Sequence, residues 1–265
     1  MFDAYTQAAI LGVVEAATEF LPVSSTGHLL LADRILGFND TNNVFEVAIQ
    51  LGAILAVVVL YFQRLWKVLV GLPTSVEARK FAVFVVLAFL PSAFLGVLLH
   101  DFVKNVLFNP TVVCVALIVG GIAILVIERM TPKPAVHEVE GMGWKRALGV
   151  GLGQCLSLVP GVSRSGATIM TALCMGIDRK VATEFSFFLS IPTMFGAVAY
   201  DLFKNRHDLG GSDMTLIGIG FVVAFIFALP IAKWLVGFVS KHGLAPFGYY
   251  RIIAGLAGLW LLGVL

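Results

Sequence analysis

Six stretches of this chain, at about 45–62, 81–101, 111–128, 182–203, 214–232 and 249–265, are apolar over lengths that reach or approach a bilayer crossing. A crossing helix needs about 20 mostly apolar residues. Inside the hydrocarbon region each backbone N–H and C=O must bond within its own segment, so such stretches fold as helices. Composition agrees. The 265 residues are 59% hydrophobic and 13% charged, with a mean hydropathy of +0.96, where soluble domains carry about 25% charged residues. An all-α integral membrane protein is the fold class expected. A net charge of +2 gives no case for nucleic acid. Cys114, Cys155 and Cys174 lie in apolar surroundings with no metal or disulfide spacing and read as small packing residues. Met1-Phe2-Asp3-Ala4-Tyr5 lacks a basic n-region, so the first apolar stretch is expected to be retained.

Two further apolar regions, about 5–37 and 146–177, are broken by short polar runs. The first run is Pro22-Val23-Ser24-Ser25-Thr26-Gly27-His28, and the second is Pro160-Gly161-Val162-Ser163-Arg164-Ser165-Gly166. Allowing one extra glycine in the second, both read Pro, Val, Ser, any residue, Ser or Thr, Gly. Each continues to a further glycine, Gly37 and Gly176. Each half of these regions is too short to cross, which predicts two re-entrant helix hairpins. Irregular backbone at membrane depth survives only against protein or a wet cavity, so the two runs should line one.

The basic residues set the expected sidedness. With neither hairpin crossing, Arg64, Lys67, Arg79, Lys80, Arg129, Lys133, Lys145, Arg146, Arg179, Lys180, Lys233, Lys241 and Arg251 share one face. Arg34, Lys104, Lys204 and Arg206 share the other, thirteen against four with Arg164 set aside in its run. The richer face is read as cytoplasmic and both termini as outside. Three crossings then separate the hairpins, so the two copies are inverted. The expectation is six spanning helices plus two re-entrant hairpins in an inverted-topology repeat, about 1–130 and 140–265, with hairpin tips meeting at mid-membrane. A weaker echo joins Pro91…Gly96…His100-Asp101 to Pro192…Gly196…Tyr200-Asp201, on helices that are not equivalent in this scheme. Trp66, Trp144 and Trp234 suit interfacial belts, and Asp33 and Arg34 the membrane surface.

Glu15 and Glu19 are four apart and share one helix face. Paired carboxylates in apolar surroundings need a cation or a proton, and hard oxygen donors suit Mg²⁺ or Ca²⁺. Ser24, Ser25, Thr26 and His28 bring three hydroxyls and an imidazole within five residues, of which helix capping at Gly27 uses one or two. Arg164 keeps its charge, and its fork matches phosphate oxygens. Ser163, Ser165 and the N–H groups around Gly161 and Gly166 would surround the same anion. A resting ion pair between Arg164 and Glu15 or Glu19 is compatible with that role. Glu46 and Gln50 would complete a metal or substrate site, with Glu184 as the nearest counterpart in the second half. Together these groups fit phosphate chemistry on a lipid-borne substrate.

The segments Glu15…Glu19-Phe20-Leu21-Pro22-Val23-Ser24-Ser25-Thr26-Gly27-His28 and Pro160-Gly161-Val162-Ser163-Arg164-Ser165-Gly166-Ala167-Thr168 resemble the two signatures of the undecaprenyl-pyrophosphate phosphatase, or bacitracin-resistance protein, family. The likeness runs on through Phe45-Glu46-Val47, Gln50-Leu51-Gly52 and Glu184-Phe185-Ser186-Phe187 and covers essentially the whole chain. Ala16 departs from the usual Gly after the first Glu. The resemblance implies hydrolysis of undecaprenyl diphosphate to undecaprenyl phosphate and inorganic phosphate in a bacterial inner membrane. It implies a divalent cation and a site reached from the outer face. Carried over by motif, Glu15 and Glu19 serve the metal or general-base function. Ser25 is the nucleophile or its positioning group, His28 a proton carrier or rival nucleophile, and Arg164 the diphosphate holder. Ser24, Thr26, Ser163 and Ser165, with Gly27, Gly161, Gly166 and Gln50, make up the substrate-binding set. Direct attack by water also fits these residues. A transporter or flippase for undecaprenyl phosphate is the alternative, since inverted repeats with broken helices serve transport. The expected partners are the polyprenyl diphosphate and membrane lipid, and a homodimer is compatible with the chain.

Overall fold

The computed structural model describes residues 2–38, 44–204 and 214–264. Arg206 and the chain ends Met1 and Leu265, used in the sidedness reading, lie outside these residues, as do the side chains of Asp201 and Lys204. Among the described residues the chain forms eleven α-helices and no strand beyond one isolated bridge between Val136 and Ile177. The first hairpin is α1 (Ala4–Thr18) and α2 (Ser25–Leu36). Next come α3 (Val44–Leu60), α4 (Phe62–Gly71), α5 (Val76–Phe102) and α6 (Pro110–Met130). The second hairpin is α7 (Trp144–Gln154) and α8 (Arg164–Cys174), followed by α9 (Arg179–Lys204), α10 (Met214–His242) and α11 (Ala245–Leu261).

Local chemistry sets several boundaries. Asp3 caps α1 by accepting from Thr6 N–H at 2.9 Å, which holds its carboxyl below the ordinary range. Asn109 caps α6 ahead of Pro110 by accepting from Val112 N–H at 2.9 Å. Gly37 ends α2 at φ 68°.

Both broken regions fold as the expected helix–turn–helix hairpins. Four helices are long and apolar enough to cross a membrane, α5 with its π-helical extension, α6, α9 and α10, and a fifth if α3 and α4 form one bent span. At 17 residues, α3 and α11 are each about 25 Å long, short of a hydrocarbon core of about 30 Å. The helix α4 falls where the sequence suggested only a basic loop. It turns 71° from α3 and carries Phe62, Leu65, Trp66, Leu69 and Val70 on one stripe and Gln63, Arg64 and Lys67 elsewhere, the pattern of a helix lying along an interface.

The central helix is α9. Six successive residues from Phe185 to Ser190 are buried to 1% exposure or less, so it is enclosed on all sides. The hairpins flank it. Along the outer surface, Leu90, Phe94 and Leu98 of α5, Val119 of α6, Ile226 of α10 and Trp260 of α11 are exposed, a band suited to lipid. Trp66, Trp144 and Trp234 are each more than half exposed, as belt residues should be.

The helices α1 and α10 pack together, as do α7 and α5, and α6 pairs with α11. All three of these contacts demand glycine, and the first two match each other. A Cβ on Gly12 would stand 2.6 Å from Gly220 O in α10, and one on Gly151 would stand 2.4 Å from Ala88 O in α5. Gly12 lies fifteen residues before Gly27, and Gly151 fifteen before Gly166.

At the end carrying the α6–α7 connection, Arg64 lies over the rings of Phe81 and Phe188 at 5.4 and 5.1 Å. It also pairs with Glu140 at 3.1 Å and Glu184 at 3.6 Å. Arg179 pairs with Glu128 nearby. Glu184, the expected counterpart of Glu46 and Gln50 in the second half, thus sits in this cluster.

Candidate active site

The two hairpin turns meet. Each helix following a turn begins immediately after a serine with positive φ, Ser24 at 72° before α2 and Ser163 at 73° before α8. They are the only such non-glycine residues among those described. Side chains with a Cβ resist this region, and the strain of about 1–3 kcal/mol must be held by surrounding contacts. The two copies hold it differently. Ser163 Oγ accepts from Gly166 N–H at 3.1 Å and so caps α8, whereas Ser24 makes no side-chain cap. Both helices direct N-terminal N–H groups and the positive end of their dipoles at the junction.

Charge and hydroxyls come together there. Arg164 Nη2 donates to Glu19 Oε1 at 2.8 Å across the junction. Ser25 Oγ donates to the other carboxylate oxygen, Glu19 Oε2, at 2.6 Å. Glu19 and Arg164 expose 9% and 12% of their side chains, so this pair interacts with little solvent screening. Arg164 Nη1 donates to Ser186 O at 3.0 Å, and Ser186 Oγ shares a 2.7 Å bond with Thr168 Oγ1. Ser165 Oγ donates to Leu21 O at 2.8 Å and lies 3.1 Å from Ser163 Oγ, a second link between the turns.

Two buried groups keep unused capacity. Arg164 Nε has no hydrogen-bond partner, and neither has either carboxylate oxygen of the fully buried Glu15. The charged neighbours of Glu15 are Glu19, Glu46 and Arg164. A buried, unpartnered guanidinium N–H calls for an anion, and a buried, unpartnered carboxyl calls for a cation or a proton. Among the described residues no three His, Cys, Asp or Glu side chains form a ready metal cluster. One or two carboxylates completed by phosphate oxygens and water are nonetheless a sufficient Mg²⁺ donor set, and Glu15 with Glu19 fits that minimum.

The remaining candidates are placed as follows. His28 Nδ1 is 2.8 Å from Ser24 O, so it carries the proton in the neutral ring, and Nε2 then accepts from Tyr250 O–H at 2.7 Å. The imidazole therefore turns to α11 rather than to Ser25. Gly27 packs on α6, where a Cβ would meet Val113 at 3.2 Å. Gly161, at φ 94°, lies so close to α6 that a Cβ would stand 2.5 Å from Val113 O. The Gly166 N–H is taken by Ser163. Thr26, Glu46 and Gln50 line a cavity of about 570 Å³ that also reaches His100, Lys104 and Tyr200 near the far ends of α5 and α9.

One expectation is overturned. Arg251, counted among the membrane-surface cations, is fully buried. Its Nε donates to Leu117 O at 3.3 Å, Nη1 to Pro22 O at 3.1 Å and Val162 O at 2.9 Å, and Nη2 to Ala116 O at 3.1 Å and Gly161 O at 3.0 Å. One guanidinium thereby gathers carbonyls from both turns and from α6. The misreading came from the helix start. The sixth stretch was read from 249, which left Arg251 at its end, but α11 begins at Ala245 and carries Arg251 nearly two turns inward. The neighbouring Tyr250 is the His28 partner. An arginine amid apolar residues was the available signal for both.

The profile of the family described as bacitracin resistance protein BacA matches residues 8–257. The chain is 51% identical over 254 residues to undecaprenyl-diphosphatase 1 of Mesorhizobium japonicum, covering 96% of this chain and 95% of that one. It is 54% identical over 255 residues to the undecaprenyl-diphosphatase of Rhizorhabdus wittichii, covering 96% of each. The Caulobacter vibrioides enzyme of the same name is 52% identical over 256 residues, again covering 96% of each.

Proposed function

The chain belongs to the bacitracin resistance protein BacA family, and from that membership and the geometry of the site we infer that it hydrolyses undecaprenyl diphosphate to undecaprenyl phosphate and inorganic phosphate. The observation that carries the reading is Glu19 held between Ser25 at 2.6 Å and Arg164 at 2.8 Å, one group from each turn. The names of the relatives favour hydrolysis over transport.

The residues divide the work. Arg164 leaves Glu19 for the incoming diphosphate, using Nε and its freed Nη2. The N-termini of α2 and α8 add positive potential, and Thr26 and Gln50 face the substrate from the cavity. Ser25 Oγ attacks the terminal phosphorus while its proton passes to Glu19, and the bond from that phosphorus to the bridging oxygen breaks, releasing undecaprenyl phosphate. Water then attacks the phosphoserine, the serine oxygen–phosphorus bond breaks, and Ser25 Oγ takes its proton back from Glu19 as inorganic phosphate leaves. His28, bonded to Ser24 O and Tyr250, ties the first turn to α11 rather than moving a proton at Ser25. Glu15, joined by Glu19 once Arg164 has turned away, would hold Mg²⁺ or Ca²⁺, which when bound neutralises non-bridging phosphate oxygens.

The inverted repeat, about 1–130 and 140–265, is part of the same proposal. Four correspondences support it: the paired serines of positive φ, the paired glycines fifteen residues before the glycine of each motif, the packing of α1 on α10 against that of α7 on α5, and the self-matching pair α6–α11. Six crossings are proposed, with α3 and α11 spanning a locally thinned bilayer. Removing Arg251 from the sidedness count leaves twelve basic residues against four. The proposed inner face is therefore the one carrying the α6–α7 connection, and the cavity opens outward.

Purified protein in detergent should release phosphate from undecaprenyl diphosphate with Mg²⁺ or Ca²⁺ present and stop when the cation is chelated. No release under any cation would overturn the function. Undiminished release after chelation would remove the metal role alone.

A further inference from the structure

The echo between Pro91–Asp101 and Pro192–Asp201 takes no part in the chemistry above, yet the structure brings its halves together. Ser92 and Thr193, each following the proline inside its helix, are joined by the buried amide of Gln154, whose Nε2 donates to both hydroxyls. The rings of His100 and Tyr200 meet edge to face at 5.1 Å. Between these two contacts, Gly96 and Gly196 both line the 570 Å³ cavity.

These glycines are not required by the backbone. A Cβ on Gly96 would meet only Leu158 Cδ2 at 3.6 Å, and one on Gly196 only the Phe89 ring at 3.5 Å, both ordinary contacts. Gly12 and Gly151, by contrast, touch the main chain of a neighbouring helix. Neither Gly96 nor Gly196 has positive φ. Glycine inside a helix is destabilising relative to alanine, so two of them facing one cavity, with room for a methyl group, preserve open space.

We propose that this cavity holds the isoprenoid segment next to the diphosphate, and that Gly96 and Gly196 set its bore. The inference rests on the phosphatase reading. Thr26, next to Ser25, and Glu46, a charged neighbour of Glu15, both line the cavity, so a diphosphate held at Arg164 delivers its first isoprene units into this space. An isoprene unit carries a methyl branch and is wider than a straight chain. A glycine on each of two facing helices gives room for that branch.

The test uses Gly96→Leu and Gly196→Leu, with Gly96→Ala and Gly196→Ala as the smaller step, in the full-length protein. Two readouts are compared: kcat/KM on undecaprenyl diphosphate, and the inhibition constant of inorganic pyrophosphate, which reports on the headgroup site alone. Filling the bore should lower kcat/KM about tenfold or more, chiefly through KM, since one misfitted methylene costs that much in a shaped pocket. Pyrophosphate inhibition should stay at the wild-type value in every variant, and the alanine variants, each adding one methyl group to the wall, should lose less kcat/KM than the leucine ones. Leucine variants with wild-type kcat/KM would overturn the proposal, as would leucine variants that lose turnover and pyrophosphate inhibition together. A wild type that releases no phosphate would instead overturn the phosphatase reading. The cavity would then be judged by thermal stabilisation with undecaprenyl phosphate, which the leucine variants must weaken.

Discussion

Five backbone carbonyls converge on Arg251, and its five N–H donors are the number needed to meet them. Lysine has three donors and no planar fork. Arg251→Lys should therefore strand carbonyls of both turns in a buried setting, costing about 3 kcal/mol. The expected result is a lower unfolding temperature in detergent together with lost phosphate release, although Arg251 touches no proposed reacting atom. A stable, active Arg251→Lys protein would contradict the clamp. At this scale the sequence pointed to groups that the structure brings together where a charge stood among hydroxyls and glycines, as for Glu19, Ser25 and Arg164. It was illegible where a charge stood near a helix start, because an anchor at the interface and a buried clamp look alike until the helix boundary is known to within one turn.

The hairpins and long helices were legible because their signals are strong: extended apolar stretches, and polar runs that interrupt two of them. The helix α4 was missed because its basic residues suggested a surface loop, and its apolar stripe is only ten residues long. The close helix contacts were also hidden. Nothing in the sequence distinguishes Gly12 or Gly151, which touch a neighbouring backbone, from Gly218, which meets nothing within 4 Å. Gly12→Val and Gly151→Val should each force the hairpin away from its partner helix and cost about 1–3 kcal/mol. Gly218→Ala should be neutral or stabilising by up to about 1 kcal/mol. Thermal unfolding of the three proteins checks this. Equal behaviour of Gly151→Val and Gly218→Ala would contradict the packing.

For the whole molecule, the proposed topology places the two ends of α6 on opposite faces. Asn105 precedes that helix, His137 follows it, and both are exposed. In a protein with Cys114, Cys155 and Cys174 replaced, Asn105→Cys should react with an impermeant thiol reagent from outside intact cells, and His137→Cys only after the membrane is opened. The reverse pattern would invert the proposed orientation. Sequence could give sidedness only as a charge bias, and the buried Arg251 shows how one misplaced cation enters such a count.

The central claim is that the two turns form one site, and a double-mutant cycle tests it. Ser25→Ala and Arg164→Ala, alone and together, are compared by kcat/KM for phosphate release from undecaprenyl diphosphate. Each single change should cost about 100-fold or more, and the double variant should be close to the worse single one, because groups acting as a unit are strongly non-additive. A double variant that loses the product of the two single effects would mean that the turns act independently, contrary to a shared site at Glu19.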